Sequence, residues 1–401
     1  MKQEYNGFFS GALTIMIRLF SVLVLLCSLS VQAEPAAAPT ASANKAAPLT
    51  APYVAARSYY LLEAESGQPL AALNADQRIE PASLTKLMSA YLVFQAIRNK
   101  KLSVTQAVPV SQRAWKAEGS RMFIEPQKPV SVDELLHGMI IQSGNDATTA
   151  LAEAVSGSEE GFAQLMNKTG ADMGLTGTHF VNATGLPDPQ HYTTAQDLSI
   201  IASAIIRDFP EYFPLYSIKE YRYNNITQPN RNRLLWMDAT VDGMKTGHTN
   251  SAGFCLISTA HRGERRILSV VLGTASDNAR TVESQKLLNW GFQTFESEKL
   301  FAKSTAIKTL EVFKGNGREV KAGFYQDIWM THPVGETAHF KQSLTTMQPV
   351  VAPIAAGQKL GSLQVSYDGL VIATHDLLAL EDIPLGNFFT RAWDSVRLLM
   401  K

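Results

Sequence analysis

What most constrains the fold of this chain is the order of its periodicities. Strand-like segments stand at both ends of a long helical stretch. Tyr53 to about Gly67 alternates and is rich in Tyr, Val and Leu, so it starts a sheet. Ser83 to Ile97 then places Leu84, Leu87, Met88, Tyr91, Leu92 and Gln95 at helical steps, and Asp133–Ile141, Ala147–Val155 and Asp197–Ile206 read as further helices. Val241–Thr246, Phe254–Thr259 and Ile267–Gly273 return to strand character, and Val282–Phe295 closes with a helix. First and last strands separated by helices predict one antiparallel sheet covered by helices, an α/β (α+β) domain over residues 53–295.

The texture changes after about Glu296. Short apolar runs, such as Ile307–Phe313 and Leu363–Tyr367, alternate with turn signals at Lys314-Gly315-Asn316-Gly317 and Asp368-Gly369. Residues 296–382 therefore read as a small all-β domain. In the final segment, 383–401, Leu385, Phe388, Phe389, Ala392, Trp393, Val396, Leu399 and Met400 recur at three- and four-residue steps. Arg391, Asp394, Arg397 and Lys401 carry a net charge of +2 on the other face. A cationic amphipathic helix of this kind suits a membrane interface but is too interrupted by charge to span one; packing on the protein's own domain is the other reading.

The first 33 residues have the grammar of a signal peptide. Lys2 and Arg18 precede the apolar run Leu19–Leu29, and Val31-Gln32-Ala33 supplies small residues for cleavage. Residues 34–52 are almost entirely Ala, Pro, Ser and Thr and read as a flexible linker. Basic and acidic residues number 36 each, so no global field attracts nucleic acid, and no basic stripe with interleaved aromatics occurs. Cys27 leaves with the signal, and Cys255 is left without a disulfide partner, expected to pack as a small apolar residue in a strand. The eight histidines form neither His-x-His nor His-Glu-x-x-His, so neither zinc nor any other cofactor is expected.

Three short segments carry the chemistry. In Pro81-Ala82-Ser83-Leu84-Thr85-Lys86, Ser83 and Lys86 stand at i and i+3, about one turn apart on one face. A serine hydroxyl needs an adjacent base, and a lysine can be that base when burial or a second cation disfavours its ammonium; Lys245 is a candidate for that cation. The Ser83 N–H, near a helix start, could help hold an oxyanion. Ser143-Gly144-Asn145 falls in a break between helices, where Ser143 could relay a proton and Asn145 orient a substrate amide and Lys86; helix capping would also explain both. At a strand end, Lys245 and Thr246 could together bind a carboxylate. Gly247 would allow close backbone approach, and His248 would present a second oxyanion N–H. Arg280 could add a carboxylate contact or be a surface residue. Each segment has a plain structural reading alone; all three in this order form a signature of active-site serine enzymes that act on penicillin-like or D-alanyl substrates.

With these motifs the sequence resembles the D-alanyl-D-alanine carboxypeptidases, the low-molecular-mass penicillin-binding proteins of bacterial envelopes, and within them the penicillin-binding protein 5 and 6 subgroup. The resemblance covers essentially the whole chain beyond the signal peptide. It is carried by Pro81–Met88, Ile141–Ala147, Gln228–Trp236, Val241–Thr249, Trp290-Gly291-Phe292 and Gly386-Asn387-Phe388-Phe389. It implies a serine β-lactamase-like or DD-peptidase-like α/β domain, then a β-sandwich, then an amphipathic anchor. It implies Ser83 as the acylated nucleophile, Lys86 as general base, Ser143 and Asn145 in the proton network, and Lys245 with Thr246 on the terminal carboxylate. The implied substrate is the pentapeptide stem of peptidoglycan, with β-lactams as covalent inhibitors. The implied place is the periplasmic face of the inner membrane, peripherally held. The linker at 34–52 is longer and richer in Ala and Pro than that subgroup leads one to expect, and the anchor stops at Lys401.

Other readings are a DD-endopeptidase, a β-lactamase, and a non-enzymatic wall-binding scaffold. Against the second, no Glu-x-x-Leu-Asn lies between the second and third motifs, and the second reads Ser-Gly-Asn, not Ser-Asp-Asn.

Overall fold

The structure, a computed structural model, describes residues 50–400. The expected signal peptide and all of the linker up to residue 49 lie outside the described residues. Five antiparallel strands form the central sheet, in the order β2-β1-β9-β8-β7. Its first members are β1 (Ser58–Glu63) and β2 (Pro69–Leu73). Two short ladders follow, β3 (Ala107–Val108) with β4 (Val130–Ser131), and β5 (Glu220–Tyr223) with β6 (Ile226–Pro229). The last three strands are consecutive hairpins: β7 (Val241–Thr249), β8 (Gly253–Arg262) and β9 (Arg265–Thr274). The chain thus enters the sheet at β1, leaves for the helices, and returns so that β9 pairs with β1, Tyr60 opposite Val270.

The helices are α1 (Lys86–Arg98), α2 (Gln112–Trp115), α3 (Val132–Ile141), α4 (Asn145–Ser156), α5 (Glu159–Asp172), α6 (Ala195–Asp208), α7 (Leu234–Met237) and α8 (Asp277–Thr294). The period of two along β9 explains how they are distributed. Leu268, Val270 and Leu272 face a core shared with α1, α3, α4 and α6. Ile267 and Val271 face the opposite core, with Leu234 and Leu235 of α7 and Leu287 and Leu288 of α8. Helices therefore cover both faces of the sheet. Local chemistry sets several helix starts. Ser131 and Glu134 form a capping box before α3, and Ser158, Thr194 and Ser276 each accept a backbone N–H at the starts of α5, α6 and α8. The Ser276 cap starts α8 at Asp277, five residues earlier than the apolar pattern suggests.

β10 (Phe295–Phe301) follows α8 directly and pairs with β13 (Ile328–Pro333). A six-stranded sheet in the order β14-β16-β17-β12-β11-β15 completes this second part. Its strands are β11 (Lys308–Phe313), β12 (Glu319–Gly323), β14 (Phe340–Thr346), β15 (Val350–Val351), β16 (Lys359–Tyr367) and β17 (Leu370–Ala379). Leu310, Val320, Phe324, Ile328, Leu363 and Leu377 lie in its separate core. The expected turns are present: Lys314, Asp368 and Gly369 all take positive φ, the last two closing the β16–β17 hairpin.

The chain ends in α9 (Phe388–Leu399), capped by Asn387. Its amphipathic pattern is used in an unexpected sense. Asp394 is buried and accepts the Lys314 N–H at 2.7 Å, while Arg397 pairs with Glu311 at 2.5 Å and lies over the Phe313 ring. The polar side thus docks on the β domain. Phe389 is left 80% exposed, Trp393 64% and Leu399 88%. Among the described residues no helix is long and apolar enough to cross a membrane.

Candidate active site

Ser83 does not lie on an α-helix. It sits in a 3-10 turn, Ala82–Thr85, that runs into α1 at Lys86. Ala82 takes φ +48°, and its carbonyl lies against Gly185, where a Cβ would collide with it. A glycine is required there both by that contact and by its own φ of +85°. Under the same turn, Thr85 Oγ1 contacts Nε2 of the buried His191 at 2.8 Å. His191 Nδ1 accepts from the Val181 N–H, which places the proton on Nε2. Burial pushes this imidazole down to about 4, so it stays neutral in ordinary buffers.

Lys86 is 1% exposed. Its Nζ lies 3.0 Å from Ser83 Oγ, 2.6 Å from Asn145 Oδ1 and 2.7 Å from the Thr184 carbonyl. Burial, and then the charge of Arg231, push its ammonium down to about 7, with Asp146 and Glu159 pulling the other way. A neutral amine has two N–H bonds. Asn145 and Thr184 accept both, which leaves the lone pair for the third partner, the Ser83 hydroxyl.

The second segment is held from several directions. Ser143 takes φ +69° at the break between α3 and α4, and Gly144 donates to the Gly138 carbonyl. Asn145 opens α4, with its Nδ2 on the Glu118 carbonyl at 2.5 Å. Buried Asp146 accepts the N–H groups of Met122, Phe123 and Ile124, which fixes the loop beside the site.

The third segment lies on β7. Lys245 Nζ donates to Ser143 Oγ at 2.9 Å. Its ammonium is held well below the usual lysine range by burial, then by the charges of Lys86, Arg231 and Arg280. Thr246 is also buried. A Cβ on Gly247 would lie 3.0 Å from the Pro81 carbonyl and 3.1 Å from Leu84, so this glycine serves the close approach of β7 to the serine turn. His248 is exposed, with its ring 4.0 Å from that of Phe254. Arg280 is not a surface residue. It is 6% exposed, donates to the Gly247 and Cys255 carbonyls, and pairs with Asp277. Cys255 is buried in β8, as an apolar residue would be.

The fold thus brings two hydrogen-bonded groups to the site: Ser83 and Asn145 on Lys86, and Ser143 on Lys245, with the charge of Lys86 bearing on Lys245. Residues 43–276 match the family described as D-alanyl-D-alanine carboxypeptidase, and residues 295–385 match the penicillin-binding protein 5 C-terminal domain. The chain belongs to the D-alanyl-D-alanine carboxypeptidase family.

Among the family's proteins, the chain is 41% identical over 369 residues to D-alanyl-D-alanine carboxypeptidase DacC of Escherichia coli, covering 90% of this chain and 92% of that one. It is similar in structure to penicillin binding protein 5 from Haemophilus influenzae, with a TM-score of 0.78, 41% identity, and coverage of 84% of this chain and 99% of that one. Penicillin-Binding Protein D2 from Listeria monocytogenes, in its ampicillin-bound form, is 31% identical with a TM-score of 0.56, covering 61% of this chain and 99% of that one.

Within Gln228–Trp236, one of the segments that the carboxypeptidase resemblance rests on, the structure singles out Arg231, to which the sequence reading gave no role. Its charge bears on Lys86, Lys245 and Arg280 alike. It acts on Lys86 as a second cation, the role that the sequence suggested for Lys245, whose own ammonium feels the charge of Lys86. Two buried asparagines hold its loop: Asn230 Nδ2 reaches the Tyr216 and Ile218 carbonyls, and Asn232 Nδ2 the Gly243 carbonyl. The cluster Asn230-Arg231-Asn232 was the available signal: an arginine between two residues suited to pinning a loop. The carbonyls of Thr184 and Glu118 have no such signal, since any residue type supplies one.

Proposed function

We propose that this chain is a serine D-alanyl-D-alanine carboxypeptidase acting on peptidoglycan pentapeptide stems, with Ser83 as nucleophile. The observation that carries this reading is Lys86 Nζ at 3.0 Å from Ser83 Oγ, with its ammonium brought down to about 7. An amine poised near neutrality takes the hydroxyl proton as Oγ bonds to the penultimate D-alanine carbonyl. The Ser83 and His248 N–H groups receive the oxyanion. Ser143, hydrogen-bonded to Lys245, returns a proton to the leaving D-alanine amine as the peptide bond breaks, giving an ester on Ser83. Water, deprotonated at Lys86, then hydrolyses that ester and frees the serine.

Lys245 and Thr246 bind the substrate's terminal carboxylate, with Arg280 adding positive charge behind Gly247. The carboxylate restores the ammonium form that burial disfavours on Lys245. β-Lactams acylate Ser83 by the same route; the ampicillin-bound Listeria relative supports this reading. The chain is exported by its signal peptide and rests on the periplasmic face of the inner membrane. The outward aromatic face of α9, with Arg391 beside it, supports that placement.

The test is D-alanine release from a soluble D-alanyl-D-alanine pentapeptide by the purified chain and its Ser83→Ala twin. Release should fall by roughly 10³-fold or more in the variant. Equal release by both removes Ser83 from the mechanism, and rapid catalytic turnover of penicillin by the parent points to a β-lactamase.

A further inference from the structure

The carbonyl that precedes Ser83 stands at the end of a line of hydrogen bonds that the roles above leave unused. The Val181 N–H donates to His191 Nδ1 at 3.2 Å, His191 Nε2 donates to Thr85 Oγ1 at 2.8 Å, and the Thr85 hydroxyl donates to the Ala82 carbonyl at 2.9 Å. Each bond fixes the direction of the next. With Nδ1 taken by the Val181 N–H, the ring proton sits on Nε2. With one Thr85 lone pair taken by that proton, the hydroxyl turns its own proton to Ala82. Thr85 and His191 are both buried, and the Phe180 ring stands edge-on against the imidazole, 5.8 Å between centroids.

The Ala82 carbonyl shares its peptide unit with the Ser83 N–H. A trans peptide is planar and points its C=O and N–H in opposite directions, so whatever aims the carbonyl aims the N–H the other way. Ala82 holds φ +48°, a region that an alanine enters only where its surroundings impose it. Two contacts do so here. Gly185 presses on the carbonyl from below, where a Cβ would also come within 2.8 Å of Thr85 Oγ1, and the Thr85 hydroxyl bonds to the same carbonyl. The next N–H along, that of Leu84, is spent on the Pro81 carbonyl, whereas the Ser83 N–H makes no hydrogen bond among the described residues.

We propose that Thr85 and His191 are positioning residues for the oxyanion site: by fixing the plane of the Ala82–Ser83 peptide, they aim the Ser83 N–H at the oxygen on which negative charge develops. The inference rests on the acyl-transfer step of the carboxypeptidase reading and adds two residues to it. Neither touches the substrate. Every proton of the line stays on its donor while Ser83 Oγ bonds to the carbonyl carbon.

The test compares a penicillin with its thioxo counterpart, in which sulfur replaces the β-lactam carbonyl oxygen, as acylating agents of the full chain. Sulfur is a weak acceptor and draws little on the oxyanion donors. Thr85→Val keeps the side-chain shape without the hydroxyl, and Thr85→Ser keeps the hydroxyl. His191→Leu removes the donor to Thr85, and His191→Gln supplies another. In Thr85→Val and His191→Leu, acylation by the oxygen lactam should slow by roughly 10- to 100-fold, part of the effect of losing a whole oxyanion donor. Acylation by the sulfur lactam and the Kd of either lactam before acylation should hold. Thr85→Ser and His191→Gln should stay near the parent. The ratio of the two acylation rates does not depend on how much of a variant is folded, and thermal melts report that amount. Rates that fall together for both lactams, or an oxygen-lactam rate unchanged in Thr85→Val, overturn the proposal. An unchanged rate in His191→Leu alone removes His191 from it. D-alanine release by the parent tests the carboxypeptidase reading separately. A parent that is acylated but releases none loses the peptide reaction and keeps the oxyanion device; one that neither lactam acylates overturns both.

Discussion

Lys86 has three hydrogen-bond partners and, when neutral, two protons to give them. Its pKa near 7 therefore sets when Ser83 can be activated. Below that pH the ammonium has no lone pair. Acylation by a penicillin, followed by rapid mixing, should rise about tenfold per pH unit up to about 7 and then level off. A flat profile between pH 5 and 9 would remove Lys86 as the base. Removing a neighbouring cation lowers the cost of the ammonium, so Arg231→Gln should move the inflection upward. At this scale the motif residues were legible because covalent spacing carries their relation: three residues from Ser83 to Lys86, two from Ser143 to Asn145. What joins the segments was not. Thr184, Glu118 and Arg231 come from loops far apart in sequence, and their meeting depends on the whole sheet closing. Arg280 shows the same limit from the other side, since its sequence permits a surface position that burial beneath Gly247 rules out.

Among the elements, α9 carries the clearest expectation. Its apolar spacing was legible, but which face would turn inward was not, because that is decided by Glu311, Phe313 and Lys314 some 80 residues away. Asp394→Ala would leave the Lys314 N–H without its acceptor and Arg397 with one partner fewer. The cost to docking should be about 1–3 kcal/mol. Hydrogen exchange without lipid should then speed up across 388–399 while the β-domain core keeps its protection. Unchanged exchange would mean that the apolar contacts of α9, not its polar ones, hold it. The serine turn illustrates a related point. The apolar period extends back through Leu84, so the sequence reads as one helix from Ser83. The left-handed Ala82 and the press of Gly185 beneath it tighten the first turn instead.

For the molecule as a whole, the junction of the two parts matters most. Residues 51–401 form one compact unit. β10 begins at the residue after α8 ends, and Phe295 packs edge-on against Trp290. Thr331 Oγ1 bonds to Ser66 Oγ across the junction at 2.8 Å and to Ser297 at 2.9 Å. Thr331→Val keeps the volume and removes both bonds, and should lower unfolding free energy by about 1–2 kcal/mol in denaturant titrations. D-alanine release should not change, since Thr331 touches none of the residues around Ser83. A stability unchanged by the substitution would show that apolar packing alone fastens the parts. The direct passage from α8 into β10 also acts as a ruler. On the membrane placement proposed above, a serine mounted on a pillar of set length, standing on the aromatic foot of α9, would work at one altitude above the lipid. Stems nearer or farther than that height would go untrimmed, so the architecture would choose its targets by elevation as well as by chemistry.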